Sequence, residues 1–459
     1  AIGNPVLRTM YATQMADINL LLSDRVHSNS KILYDRKPRD RVAKVAPWLT
    51  VDSDSLPAVV DGRMVWIVDG YTTSSDYPNS TKVDLRDAAS DSTTGNRVAQ
   101  RGTEINYIRN SVKATVDAYD GTVRLYKWDD EDPIVNAWDK AFPGLLKSTQ
   151  SISGDLMSHL RYPEDIFRMQ RAVLADYHVT AASDFRAGQD RWRVPAAPSR
   201  GDDGVAQPPY FLSLAMPDQR EPVWSLTSTY IPRGTRNVMA GYLSADGDAG
   251  STAGKPADGY GDLRLLSVPR DTTVPGVGQV QNNIVSSTAT TGSGSQTLTD
   301  WINNANRGGS QVHFGNQLAL PVGEGFLHVE PIYVSSASGT SYPQLRVVVA
   351  TFAGRVAWGQ TLDAALDELF GGDAGVDGGD DGSKEPKGKE PAEPKNLTAD
   401  EKKLREAIAG MQQAYKDSEA ALEKGDFTAY GEAQKELKKY LEDAAEAQPG
   451  GGSATLDEG

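Results

Sequence analysis

At 459 residues the chain is too long for one ordinary hydrophobic core, so two to four domains are expected. A formal charge of −15 argues against nucleic acid or an anionic membrane surface as the main partner, and with no cysteine there is no disulfide framework. The charge is uneven: residues 371–459 hold 21 acidic and 12 basic residues, leaving 41 acidic against 35 basic over the body, an ordinary globular surface.

Asn4 is placed to cap a helix with Pro5 at its first position, and Val6, Leu7, Met10, Tyr11 and Met15 recur at helical spacing to about Ala16. An apolar run from Ile18 to Leu22 follows. The basic cluster Arg36, Lys37, Arg39 and Arg41 reads as a solvated face paired with Asp35 and Asp40, or as a surface for an anionic envelope polymer or lipid head group. Residues 39–72 are the densest apolar and aromatic stretch. There Asp61-Gly62 splits Ala58–Val60 from Met64–Val68, the signature of a hairpin whose type I′ turn needs positive φ at both central residues. Asp69-Gly70 is expected to close that hairpin at its far end.

Residues 84–103 read as an exposed excursion. Val112, Ala114, Val116 and Ala118 then alternate up to Asp120-Gly121, and Val123, Leu125, Tyr126 and Trp128 complete a second hairpin. Asp132-Pro133 opens a helix stopped by Pro143-Gly144. Pro163 with Glu164 and Asp165 opens another, with Ile166, Phe167, Val173, Leu174 and Tyr177 as its apolar stripe. From 210 the pattern is β-rich: 210–216, 223–231, 239–245, 263–268, 311–320, 326–334 and 345–353 are short runs between turn residues, with 246–261 and 286–297 as mobile loops. Thr361–Phe370 is a terminal helix.

The fold class is therefore α+β, a mostly antiparallel body with a helical block at about 130–195. The expected organisation is an α+β part at 1–200 and a β-rich part at 201–370, continuous with each other. A disordered linker at 371–397, a coiled-coil-like helical hairpin at 398–447 opened by the capping box Thr398–Glu401, and a disordered tail at 448–459 follow.

The chemistry is sparse. His328 and Glu330 share a strand face, with His313 on a neighbouring strand, but zinc catalysis needs three ligands and an open position, and each His equally fits a half-buried strand. His27, His159 and His178 have no companions at ligand spacing. Gly292–Ser295 lacks the nucleophile-elbow pattern, Gly276–Gln281 lacks the third glycine of a dinucleotide loop, and Asp373–Asp381 lacks the ligand spacing of a calcium loop. Asp69, Asp76, Asp117 and Asp120 lie near Tyr71, Tyr77 and Tyr119, a setting for glycoside chemistry, although Asp69 and Asp120 read more simply as turn residues before glycine. Arg36, Arg39, Arg41, Asp69, Tyr71 and Tyr77 are the candidate binding residues; no cofactor is expected.

Several stretches carry a family resemblance: Tyr34-Asp35-Arg36, Val45–Leu49, Asp69–Thr72, Asn106–Lys113, Leu160–Asp165, Gln207–Tyr210, Pro275–Gln281, Gly309–Val312 and Val329–Pro331. In this order, over about residues 4–370, they resemble the extracytoplasmic region of a family of large multi-spanning membrane proteins of actinobacteria and cyanobacteria, catalogued as uncharacterised. The resemblance implies a location on the outer side of the plasma membrane, in the cell envelope or as a processed fragment. The implied partners are preceding membrane-spanning and outer segments of the same protein, another envelope protein or a wall polymer. The expected function is non-catalytic binding or scaffolding. The alternatives are an envelope enzyme acting on carbohydrate or lipid, and an accessory domain for envelope lipid or polymer transport, which an elongated apolar groove would favour.

Overall fold

The computed structural model describes residues 2–32, 34–89, 104–198, 205–291, 294, 296–307, 309–323, 325–336 and 342–371, with isolated helical positions between 410 and 440. The expected linker and tail, and most of the helical hairpin, lie outside the described residues. The chain divides into two compact units, 1–381 and 382–459. The first is a mixed α+β body whose strands pair antiparallel apart from one short parallel contact.

Helices α1 (Pro5–Met15), α2 (Asn19–Leu22) and α3 (Pro38–Val45) precede the first sheet. Asn4 caps α1 as expected, accepting from the Val6 amide at 2.8 Å, but Val6, Leu7, Met10 and Met15 are exposed and Ala12 is the residue buried. Strands β1 (Thr50–Val51), β2 (Leu56–Val60) and β3 (Arg63–Ser74) follow. The Asp61-Gly62 turn forms with φ of 49° and 74°, both positive as a type I′ turn requires. Asp69-Gly70 does not turn: β3 runs on to Ser74, with a register shift between Gly70 and Tyr71. Gly70 admits a close approach of Leu49 there, since a Cβ would stand 3.2 Å from the Leu49 side chain.

Strand β4 (Val83–Asp84), helix α4 (Leu85–Ala88) and β5 (Glu104–Ile105) form a small ladder that buries Leu85 and Ile105, so the expected excursion is anchored at both ends. Strand β6 (Tyr107–Asp117), β7 (Val123–Lys127), helix α5 (Pro133–Ala141) and β8 (Leu146–Ser148) complete a sheet ordered β1-β3-β6-β7-β8, with β2 also on β3. Central β3 and β6 are buried on both faces. Val68, Val112 and Ala114 pack with α3 and α5 on one side. Val65 and Ile67 pack on the other with helix α6 (Gly154–Met157).

Helices α7 (Glu164–Tyr177) and α8 (Ala182–Ala187) lead to the second sheet: β9 (Trp192–Arg193), β10 (Tyr210–Leu214), β11 (Val223–Pro232), β12 (Gly241–Asp246) and β13 (Leu263–Ser267). Ile166 and Phe167 of α7 bury against Leu226, Tyr230 and Leu243 of this sheet and against Tyr71 of β3, so α7 joins the two sheets. The 246–261 loop packs inward, with Ala249 fully buried and the Tyr260 hydroxyl donating to the Arg161 carbonyl at 2.9 Å.

Helices α9 (Val277–Val285) and α10 (Leu298–Ala305) flank the expected loop at 286–297, in stretches to which the sequence reading assigned no element. The third sheet holds β14 (Ser310–Phe314), β15 (Leu318–Val322), β16 (Gly325–Ser336), β17 (Gln344–Phe352) and β18 (Arg355–Gly359), so the single run at 311–320 is two strands. α9 and α10 cover one face through Val280, Ile284 and Ile302; helix α11 (Leu362–Phe370) covers the other through Ala365, Leu366 and Leu369.

Candidate functional site

Along β3 the face that carries Val65 and Ile67 continues into Asp69 and Tyr71, and this change from apolar to polar creates a cleft where β3 meets the start of α7. Asp69 stands opposite Lys113 of β6 and pairs with it at 2.5 Å. Lys113 is 1% exposed; its Nζ donates to the Arg161 carbonyl at 3.0 Å and to the Tyr260 hydroxyl at 3.1 Å, and lies 5.3 Å from the Trp128 ring. Tyr71, wholly buried, donates its hydroxyl to Asp52. Asp52 also accepts the amide of Asp54 at 2.7 Å and that of Asp165, in the first turn of α7, at 3.3 Å. Asp165 accepts from Ser53 Oγ at 2.6 Å and from the fully buried Arg168 at 3.2 Å. Arg161 closes the rim on Asp54 at 2.7 Å.

Burial pushes the Asp52 carboxyl well above the usual range, and the charges of Asp165 and Asp69 add to it. Burial likewise raises the Tyr71 phenol, helped by Asp52. The cleft encloses about 20 Å³, room for roughly one water. Its acids hold β1, β3 and α7 together; a sugar ring does not fit between them.

Asp69 and Asp120 do not form a glycosidase pair. Asp69 faces Lys113, whereas Asp120 lies in the turn beyond Asp117, which faces Val65; four residues of strand is already about 13 Å. Asp117 and Asp120 share Arg63, which depresses the Asp117 pKa to about 2. Of the basic cluster, Arg39 donates to the carbonyls of Asp52 and Val51, and Arg41 to those of Asp35 at 2.7 Å and Gly121 at 3.0 Å, so both tie loops to the first sheet. Arg36 is exposed. Tyr77 stacks on Tyr107 with centroids 5.9 Å apart, at the rim of a second concavity.

That concavity is a groove of about 630 Å³ between α7 and the strands β4, β5 and β6. Ile105, Ile108, Met169, Val173 and Leu174 line it, and Tyr177 and Asp176 stand at its edge. The sequence marked Val173 and Tyr177 as part of the apolar stripe of α7; they are 38% and 51% exposed and line this groove. Its size and apolar lining match a ligand pocket, and no catalytic pair stands in it.

The metal candidates are not assembled. His313 Nε2 is engaged with Ser335 Oγ at 2.8 Å, and among the described residues no three His, Cys, Asp or Glu side chains gather to hold an ion. His328 and Glu330 are both buried on one face of β16; Glu330 lies under α9, where the Gln281 amide, turned so that its nitrogen faces the carboxyl, donates to both Glu330 oxygens at 2.6 and 2.8 Å and Gln317 donates at 3.3 Å. Burial raises Glu330 to about 8 and lowers His328 to about 4. Sequence reasoning missed Asp52, Lys113 and Arg168. The one available signal was Lys113, a charged residue inside the apolar alternation of a strand.

Comparison with known proteins supplies a family. No solved structure matches the chain. A protein of Paenarthrobacter aurescens is 47% identical over 97% of this chain and 45% of its own length, one of Kineococcus radiotolerans 47% over 98% and 46%, and one of Bifidobacterium longum 46% over 97% and 43%. The chain thus spans about half the length of the curated relatives it matches. Each is described as a UPF0182 protein, and the model of the Uncharacterised protein family UPF0182 matches residues 1–301. The chain belongs to the UPF0182 family.

Proposed function

We propose that the chain is the extracytoplasmic binding module of a larger, multi-spanning protein of the bacterial cell envelope, and that it holds the acyl chain of an envelope amphiphile in the groove beside α7 without catalysing a reaction on it. The observation that carries this reading is the contrast between the two concavities. The carboxylate cleft has room for one water and its acids are engaged with one another, with Lys113 and with Arg161, whereas the groove is open, apolar and about 630 Å³. The length of the relatives supports the context, since more than half of each lies outside the matched part. No helix among the described residues is long and apolar enough to cross a membrane, so the spans this reading requires belong to the remainder of such a protein.

The test is binding of a neutral apolar fluorophore, N-phenyl-1-naphthylamine, to the 459-residue chain. Val173→Glu places a charge on the groove wall at a partly exposed position, and is expected to weaken the probe about ten-fold with little change in melting midpoint. Probe binding that is absent, or indifferent to Val173→Glu, would sink the reading. The same groove favours a second reading, an accessory domain that moves the amphiphile. Accelerated transfer of a labelled lipid between vesicles distinguishes it from simple retention.

A further inference from the structure

Beyond α7 a third concavity, of about 370 Å³, draws arginines from separate segments: Arg191 after α8, Arg233 and Arg236 from the loop between β11 and β12, and Arg270 after β13. In a chain of net charge −15 this is a local reversal of sign. Arg270 pairs with Asp190 at 2.8 Å, while Arg191 and Arg233 share Asp176 at 3.8 and 3.5 Å. The four guanidiniums thus face three carboxylates, since Asp184 also acts on Arg270, and Arg236 has no ion pair or side-chain hydrogen bond among the described residues. The floor is rigid. Trp192 and Met239 are buried, the Trp192 ring is stacked on His178, and the Arg233 amide donates to the Arg191 carbonyl at 2.8 Å, locking two of the arginine-bearing segments together.

Asp176 connects this pocket to the groove: it stands at the groove's edge and its carboxylate faces Arg191 and Arg233. An apolar groove whose edge residue is engaged by arginines has the polarity of an amphiphile with an anionic head. Guanidinium forks match phosphate oxygens in planar, paired hydrogen bonds, a geometry an ammonium does not provide. We propose that the arginine pocket is a phosphate-binding site that takes the head group of the amphiphile whose chain lies in the groove. The link to a chain rests on the groove reading above; the phosphate site itself stands on the arginines.

The experiment is calorimetric titration of the 459-residue chain with three probes: inorganic phosphate, dioctanoyl phosphatidic acid below its micellar concentration, and dioctanoylglycerol, which has the same tails and no phosphate. Phosphatidic acid is expected to bind about ten-fold or more tighter than either other probe. Arg236→Gln and Arg233→Gln should each weaken it about ten-fold while leaving dioctanoylglycerol unchanged. Both side chains are exposed, so equal melting midpoints will show that the fold is intact. Equal affinity for the phosphorylated and neutral lipids, or variants that change nothing, would overturn the proposal. Inorganic phosphate binding as tightly as the lipid, with the same losses in the variants, supports the phosphate site and overturns its link to the groove. Failure of dioctanoylglycerol alone removes the groove reading and leaves the phosphate site standing.

Discussion

Glu330 and His328, two residues apart on the buried face of β16, titrate in opposite senses, and this gives the body a defined pH response. Burial raises Glu330 from 4.5 to about 8, so the folded chain holds a proton that the unfolded chain releases, and stability falls as pH rises between those values. Burial lowers His328 from 6.5 to about 4, so the unfolded chain binds a proton the folded chain refuses, and stability rises over that span. Between about 4.5 and 6.5 the two slopes cancel; from 6.5 to 8 only Glu330 acts, costing on the order of 2 kcal/mol. Glu330→Gln should remove the fall above pH 6.5 and expose the rise below it, read as melting midpoint against pH. Parallel curves for the variant and the parent would show that Glu330 is ionised in the fold. From the sequence the two residues fit metal ligation or ordinary half-buried strand positions, because spacing shows a shared face and cannot show that the face lies under α9.

At the scale of elements, Asp132 joins the start of α5 to the first sheet. Its carboxylate accepts from Thr72 and Ser111 hydroxyls at 2.6 Å each, from the Tyr107 hydroxyl at 2.7 Å, and from the amides of Ile134 and Val135 at 3.0 and 3.2 Å. Burial alone would raise its pKa, but the bonds from Ser111, Thr72 and Tyr107 outweigh it and hold Asp132 below the usual value. The stability this supplies is present above the ordinary aspartate pKa and is lost as pH falls through the lowered one. Asp132→Ala strands buried hydroxyls as well as a helix cap, and should cost about 3 kcal/mol in urea unfolding at pH 7. A loss below about 1 kcal/mol would mean that the cap alone matters.

Elements carried by local chemistry were legible in the sequence. The Asp61-Gly62 hairpin, the Asp132-Pro133 start of α5 and the Thr361 cap of α11 each need only neighbouring residues. Elements decided by distant contacts were not. Asp69-Gly70 has turn chemistry, yet Gly70 serves the close approach of Leu49 and Asp69 serves Lys113. Helix α9, VGQVQNNIV, is rich in β-branched residues, glycine and asparagine, and is helical because Val280 and Ile284 bury against the third sheet. The carboxylate cleft was half visible, through Asp69 and Tyr71. Its other half comes from β1 and α7, which only the tertiary fold brings to β3.

For the whole molecule, the question is whether the body needs the C-terminal unit. Every hydrophobic cluster among the described residues draws from positions 42–369, with both faces of the first and third sheets covered by helices of the same unit. The stretch 371–397, which follows the last helix of the body and spans the boundary between the two units, is rich in Gly, Asp, Glu, Lys and Pro and offers almost no apolar surface to bury. Trypsin has targets there at Lys384, Lys387, Lys389 and Lys395. Cleavage at these lysines should release a body whose melting midpoint lies within about 2 °C of the intact chain, a change of at most about 1.6 kcal/mol for a fold of this size. Because the groove and the arginine pocket are built from residues 79–272, the released body should also keep its affinity for dioctanoyl phosphatidic acid. A cut that unfolds the body cooperatively would instead make the C-terminal unit part of its core. A cut that leaves the fold intact and abolishes lipid binding would place that unit over the groove as a component of the site.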